Sequence, residues 1–205
     1  MPLDLGDVRA VLSVAKTLGG NVSFSDNLAS TPLPGRGKLF QRTLVADKFA
    51  IQASVLSRII AVGNKVFTIR NYVGFSKNNL FVLYTKYTPQ DNTDFEYLME
   101  QKSAYVCNID FSFLRSVVSK LKIQGENVTL NLNEKSATLV YDDINIIMPV
   151  TVTDVKQASG YEASALDLSF QIIRDVFSKF QSPIITFRKK KNYLQFEQDN
   201  LFVFL

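Results

Sequence analysis

The segments RSVVSKL (residues 115–121) and RDVFSKF (174–180) are nearly the same heptapeptide, written twice along the chain. A weaker third copy, RAVLSVAKTL at 9–18, shares the Arg, the Val two places on and the Ser four places on. A chain that repeats one short helical pattern is built from repeated supersecondary units, and each unit must bury the same apolar stripe. Four stretches share a wider signature: LDLGDVRAVLSVAKTL from 3, ADKFAIQASVLSRIIAV from 46, IDFSFLRSVVSKL from 109 and LDLSFQIIRDVFSKF from 166. In each, an Asp opens a helical pattern. Its carboxylate can accept from the free N–H groups of a first turn and complement the helix dipole, so each stretch predicts a helix N-terminus.

Strand chemistry follows each helix. In NVTLNLNEKSATLVYDDINIIMPV, Val128, Leu130 and Leu132 alternate with polar residues, and NEKS turns. Ala137, Leu139 and Tyr141 then alternate, Asp142-Asp143 turns, and Ile144, Ile146 and Met148 follow, which predicts a three-stranded meander. PIITFRKKKNYLQFEQDNLFVFL predicts three more strand runs, divided by RKKKN and EQDN, and KVFTIRNYVGFSKNNLFVLYTKY is laid out alike. After the first helix, NVSFS and KLFQRTLV read as strands around the Pro- and Gly-containing loop NLASTPLPGRG. The chain is thus a helix followed by about three strands, four times over. The polar segment TPQDNTDFEYLMEQKS lacks sustained periodicity and fits a junction between halves. We expect an α+β fold of two similar domains, 1–88 and 105–205, joined by a connector at 89–104.

Composition removes most chemistry. With no His and one Cys, the chain lacks the commonest general base and cannot supply the ligands of a zinc site. No dinucleotide or phosphate-loop fingerprint occurs, and PGRGK at 34–38 is too short for one. The closest carboxylate pair, Asp142-Asp143, reads as a turn. We therefore expect no enzyme, no catalytic residues, no metal and no cofactor. The lone Cys107 permits no intramolecular disulfide, suits a reducing compartment and reads as a small core residue. The apolar runs are too short to cross a bilayer and no signal-peptide pattern opens the chain. We expect a protein without membrane contact that stays in the cytoplasm where it is made, the host cytoplasm if viral.

The helices carry a further signal. Arg115, Ser119 and Lys122 fall at i, i+4 and i+7 and share one face, opposite Leu114, Val117, Val118 and Leu121. Arg9, Ser13 and Lys16 repeat this against Val8, Val11, Leu12 and Ala15; Arg174 and Ser178 oppose Ile173, Val176, Phe177 and Phe180, with Lys179 at the margin. In the second helix Arg58 opposes Leu56, Ile59 and Ile60. A polar face is ordinary on any amphipathic helix, but here its charges are nearly all positive, Asp175 being the main exception. Residues 105–205 as a whole hold 11 basic and 11 acidic residues, so the acids have been sorted to caps and turns. Cations repeated along helices suit a partner of regular negative charge that is not read for sequence, such as the backbone of double-stranded DNA.

Four helix-plus-meander units in two domains, with the paired copies FLRSVVSKLK and IIRDVFSKFQ and the endings INIIMPV and YLQFEQDNLFVFL, resemble the DNA sliding clamps. The arrangement looks most like the two-domain, trimeric clamps of tailed bacteriophages and covers nearly the whole chain. The resemblance implies a homotrimeric ring with sheets outside and helices lining a hole around duplex DNA. Such a ring tethers a DNA polymerase and is opened by an ATP-driven clamp loader. In that frame Arg9, Lys16, Arg58, Arg115, Lys120, Lys122, Arg174 and Lys179 face the DNA. Clamps also take client peptides in an apolar pocket near the connector, which here holds Phe95, Tyr97, Leu98 and Met99. Those four could equally pin the connector to the sheet. RKKK at 188–191 reads as a solvated hairpin turn and is left out of the DNA site. Three alternatives stand beside the ring: an open, monomeric processivity factor; a viral structural or assembly protein whose helix cations are incidental; and, third, a nuclease or other metal-dependent enzyme, which would need a carboxylate cluster the sequence does not visibly supply.

Overall fold

The computed structural model describes residues 2–3, 7–35, 37–62, 65–77, 80–89, 92, 94–112, 127–132, 136–141, 144–154, 164–169, 174–182 and 184–205. The chain divides into two compact units, Met1–Pro32 with Lys38–Met99, and Leu33–Gly37 with Glu100–Leu205.

Unit 1 contains β1 (Pro2–Leu3), α1 (Arg9–Thr17), β2 (Asn21–Ser25), β3 (Leu28–Pro32), β4 (Lys38–Arg42) and β5 (Phe49–Gln52). It continues through α2 (Ala53–Val62), β6 (Lys65–Ile69), β7 (Tyr72–Lys77), β8 (Leu80–Thr85) and a short helix α3 (Asp94–Glu100). Strands β4, β3, β2 and β5 are antiparallel neighbours in that order, and β1, β6, β7 and β8 form a second antiparallel set. The apolar sides of α1 (Val11, Val14, Ala15) and α2 (Ala53, Leu56, Ile59) are buried, and the two helices lie beside each other. Ile60, expected on the buried stripe, is exposed instead.

Unit 2 runs β9 (Ser103–Asp110), β10 (Asn127–Leu132), β11 (Ser136–Tyr141), β12 (Ile144–Asp154) and β13 (Ser164–Ser169). It ends with a 3-10 turn at Phe177–Lys179 and with β14 (Ile184–Lys190), β15 (Leu194–Gln198) and β16 (Leu201–Phe204). Its strands order as β13-β10-β11-β12-β9-β14-β15-β16, all antiparallel. The predicted meander is present as β10, β11 and β12, with Leu130 opposite Leu139 and Leu139 opposite Ile146. Val128, Leu130, Ala137, Leu139, Ile146 and Met148 are all buried, as their alternation requires. The predicted turn at Asp142-Asp143 lies outside the described residues.

Three expectations are corrected. A strand stands directly before α1 and before α2, so each of these two repeats is strand, helix and three strands. Asp47 opens no helix; its carboxylate accepts a hydrogen bond from Thr68 Oγ1 at 2.6 Å, and FAIQ after it is β5, paired with β2. Likewise Asp167 lies inside β13, opposite Thr129 of β10. Both segments are too short for their apolar pattern to separate strand from helix, and pairing with a distant strand decides. Second, LASTP, read as loop, is β3: Asp26 and Asn27 take left-handed φ of 53° and 62°, the primed turn that closes a tight hairpin. Third, Arg188, Lys189 and Lys190 finish β14, leaving only Lys191 of RKKK in the turn. Arg188 donates twice to Glu197 Oε1, at 2.6 and 2.9 Å. The Lys190 ammonium is buried 5.6 Å from the centre of the Tyr193 ring, and burial, then repulsion from Arg188, lowers its pKa.

Gly74 in β7 faces Leu83 of β8, and a Cβ there would meet the Val82 carbonyl oxygen at 2.2 Å. Only glycine allows this approach of two backbones. Gly74→Ala is expected to lower stability by about 1–3 kcal/mol and to loosen β8. Hydrogen exchange of the β8 amides checks it, and unchanged protection would contradict the stated approach.

Candidate nucleic-acid interface

The three unit 1 residues predicted to face DNA are held on two adjacent helices whose apolar sides are fixed in the core. Arg9 opens α1 with its side chain 84% exposed, Lys16 is exposed in the last turn, and Arg58 is exposed in the middle of α2. Arg9 and Lys16 are two turns apart and project from one side of α1, opposite Val11 and Ala15. Neither helix contains an acidic residue, so among the described residues the pair carries three cations and no anion of its own.

An acid, Asp7, stands just before α1. Its Oδ1 accepts from the Arg9 backbone N–H at 3.2 Å and from Arg9 Nε at 3.0 Å, and Oδ2 accepts from Nη2 at 3.4 Å. The hydrogen bond from the guanidinium holds the Asp7 carboxyl below its ordinary range and raises the Arg9 pKa in return. Asp7 thus takes up the first N–H of the helix, but the N-cap position itself is Val8 and makes no side-chain cap, so the expected capping Asp stands one residue too early.

In unit 2, Arg174 begins a short helical turn and is forked by its neighbour: Nε and Nη2 donate to Asp175 Oδ1 and Oδ2 at 2.8 and 3.2 Å. Val176, Phe177 and Phe180 are buried beneath this turn and Ser178 is exposed, as the sequence pattern requires. Lys179 is half-buried at the end of the 3-10 turn. Arg115, Lys120 and Lys122 lie outside the described residues. The strand before them, β9, ends in Asp110, whose carboxylate accepts from Ser112 N–H at 2.8 Å and from the Ser112 hydroxyl. These bonds hold the Asp110 carboxyl below its ordinary range.

The connector segment is ordered by packing. Phe95 of α3 is 1% exposed, with its ring centre 5.1 Å from that of Phe40. It pins the segment, while Tyr97 is 61% exposed and Leu98 and Met99 are half-buried. Ser30 Oγ donates to the buried Asn92 Oδ1 at 2.6 Å, and Lys38 pairs with Asp94. Sequence reasoning missed both anchors, because their partners stand more than fifty residues away.

Cys107 is fully buried in β9, and burial pushes its thiol up to about 11. Native protein is expected to resist a thiol reagent at pH 8 and to react once denatured; equal rates in the two states would contradict the burial. Among the described residues no three His, Cys, Asp or Glu side chains gather to hold a metal ion. No described helix is long and apolar enough to cross a membrane.

No family model matches the sequence, and no curated protein matches it in sequence. Solved structures do match in three dimensions. The DNA polymerase III subunit beta sliding clamp of Bartonella birtlesii superposes with a TM-score of 0.71 over 100% of this chain and 66% of its own, at 9% identity. The fold is that of a DNA sliding clamp. The Caulobacter crescentus DNA polymerase sliding clamp gives a TM-score of 0.69 at 12% identity, over 97% of this chain and 63% of that one. The Borrelia burgdorferi DNA polymerase III subunit beta gives 0.67 at 10% identity, over 96% and 62%. The chain thus has clamp architecture from end to end, yet it spans only 62 to 66% of the length of these clamps.

Proposed function

We propose that this protein is a non-enzymatic sliding clamp that encircles double-stranded DNA and tethers a DNA polymerase. The observation that carries the reading is the pair α1 and α2, which bears Arg9, Lys16 and Arg58 without one acidic residue in either helix of a clamp fold. Cations on rigid helices can meet the phosphate backbone at any sequence, and interchangeable contacts of this kind permit sliding. In unit 2 the same role falls to Arg174 and Lys179, and to Arg115, Lys120 and Lys122.

Two units per chain suit a homotrimeric ring of the bacteriophage type, loaded by an ATP-driven clamp loader in the host cytoplasm. Strand β8 supports self-association. Among the described residues it pairs only with β7 along Leu80–Thr85, and it exposes Phe81 at 69% together with Leu83. An open apolar edge is a template for a strand of another copy. The exposed Tyr97 and half-buried Leu98 and Met99 are the candidates for client-peptide contact; Phe95 supports them from below.

Light scattering over a concentration series tests the ring. A mass near three times 23.1 kDa is expected, and Phe81→Glu should give a smaller species. A monomer throughout the micromolar range would overturn the closed ring and leave an open processivity factor. Failure to stimulate any polymerase on primed DNA once loaded would overturn the function itself.

A further inference from the structure

Two of the arginines assigned to DNA are already held by carboxylates, and in the same way. Arg9 gives Nε and Nη2 to the two oxygens of Asp7; Arg174 gives Nε and Nη2 to the two oxygens of Asp175. The acid stands two residues before the arginine in one case and one residue after it in the other, so no shared local motif produces the fork. Lys16 and Arg58 make no ion pair among the described residues. The cations therefore fall into two kinds, free and pre-paired.

Resting on the clamp reading above, we infer that Asp7 and Asp175 are built-in counter-ions, which orient Arg9 and Arg174 and weaken their hold on the phosphate backbone. A guanidinium has five N–H donors, and the fork uses two of them on one edge. The rest stay available to a phosphate oxygen in a fixed direction. The pair as a whole carries no net charge, so contact with DNA releases fewer counterions than a free arginine would. Both acids are anchored: Asp7 also accepts the Arg9 backbone N–H, and the Asp175 side chain is only 15% exposed. A ring that slides gains from contacts that exchange freely, and a resident carboxylate competes with every phosphate that passes.

The test is anisotropy of a labelled duplex of mixed sequence, titrated with the full chain across a potassium chloride series. Asp7→Asn and Asp175→Asn keep shape and hydrogen-bond acceptor but remove the charge. Each is expected to tighten binding several-fold at low salt and to steepen the plot of log affinity against log salt by about 0.9. The gain should vanish when Asp7→Asn is combined with Arg9→Gln, or Asp175→Asn with Arg174→Gln. If the Asn variants bind like the parent, or keep their gain without the arginine, the counter-ion role is overturned while the lining role survives. If Arg9→Gln and Arg174→Gln leave binding unchanged, these arginines do not line the DNA and both readings of them fail. Thermal melts of each variant confirm that folded protein is being compared.

Discussion

Phe196→Ala is expected to lower the unfolding free energy by about 3–5 kcal/mol. Phe196 is fully buried in the middle of β15, opposite Phe187 of β14 and Val203 of β16. Its ring meets Phe177 edge-on at 4.9 Å between centroids and tilts against Phe187 at 5.1 Å. It therefore joins the sheet to the short turn that carries Arg174 and Lys179. Truncation removes the transfer free energy of a large apolar group and leaves a void between strands that backbone pairing holds apart. Domains are stable by only about 5–15 kcal/mol, so this loss is a large share of the total. Urea unfolding followed by circular dichroism should show the midpoint falling with the slope unchanged. Tyr97→Ala, at an exposed position, should stay within about 0.5 kcal/mol of the parent. A loss below about 1 kcal/mol for Phe196→Ala would mean that this aromatic cluster is not the core of unit 2.

The second large effect is on DNA. In Lys16→Glu with Arg58→Glu, two cations on adjacent helices that make no ion pair among the described residues become anions, which removes two phosphate contacts and adds repulsion. The slope of log affinity against log salt should become shallower by at least about 1.8, and binding at low salt should fall by two orders of magnitude or more. Both side chains are exposed and project away from the buried stripe, so folding should be unaffected. Lys191→Glu supplies the control: compared with each single helix variant, it makes the same charge reversal in the exposed turn between β14 and β15, and only a small drop is expected. If the helix variant binds as the parent does, or the turn variant loses as much, α1 and α2 are not the DNA face.

Much of the fold was legible because its cues are local. Alternation of Val128, Leu130, Ala137, Leu139, Ile146 and Met148 carries the meander, and it holds in the structure because a strand with one buried face can take only one of two side-chain settings. The helix stripes were legible for the same reason: Val11 and Ala15, or Val176, Phe177 and Phe180, sit where a helical period puts them. The strands that precede the helices were not. FAIQ and SALDLS are short enough to pass as helix starts, and each becomes a strand because β2 or β10 offers it a free edge. RKKK shows the opposite failure. A run of cations reads as solvent, yet Arg188 finds Glu197 across the hairpin and Lys190 is covered beside Tyr193.

The candidate site divides along the same line. Which residues are cationic, and that they share a helix face, is written in the order of residues, since position on a helix follows from count alone. Whether a cation meets a carboxylate from a distant segment is decided by tertiary structure. Asp7 and Asp175 stand within two residues of Arg9 and Arg174 and are visible in the sequence, with only the local backbone left to aim them, whereas Lys38 meets Asp94 and Arg188 meets Glu197 only because the fold brings distant segments together. The sequence by itself determined the repeat, the helix faces and the lack of His-based chemistry, all of which follow from spacing and composition. The tertiary structure alone decided which short segments are strands, which connector residue is core, and which distant carboxylates meet Lys38 and Arg188. Those outcomes depend on partners that sequence spacing does not specify: strand edges, aromatic neighbours and carboxylates brought close by the fold.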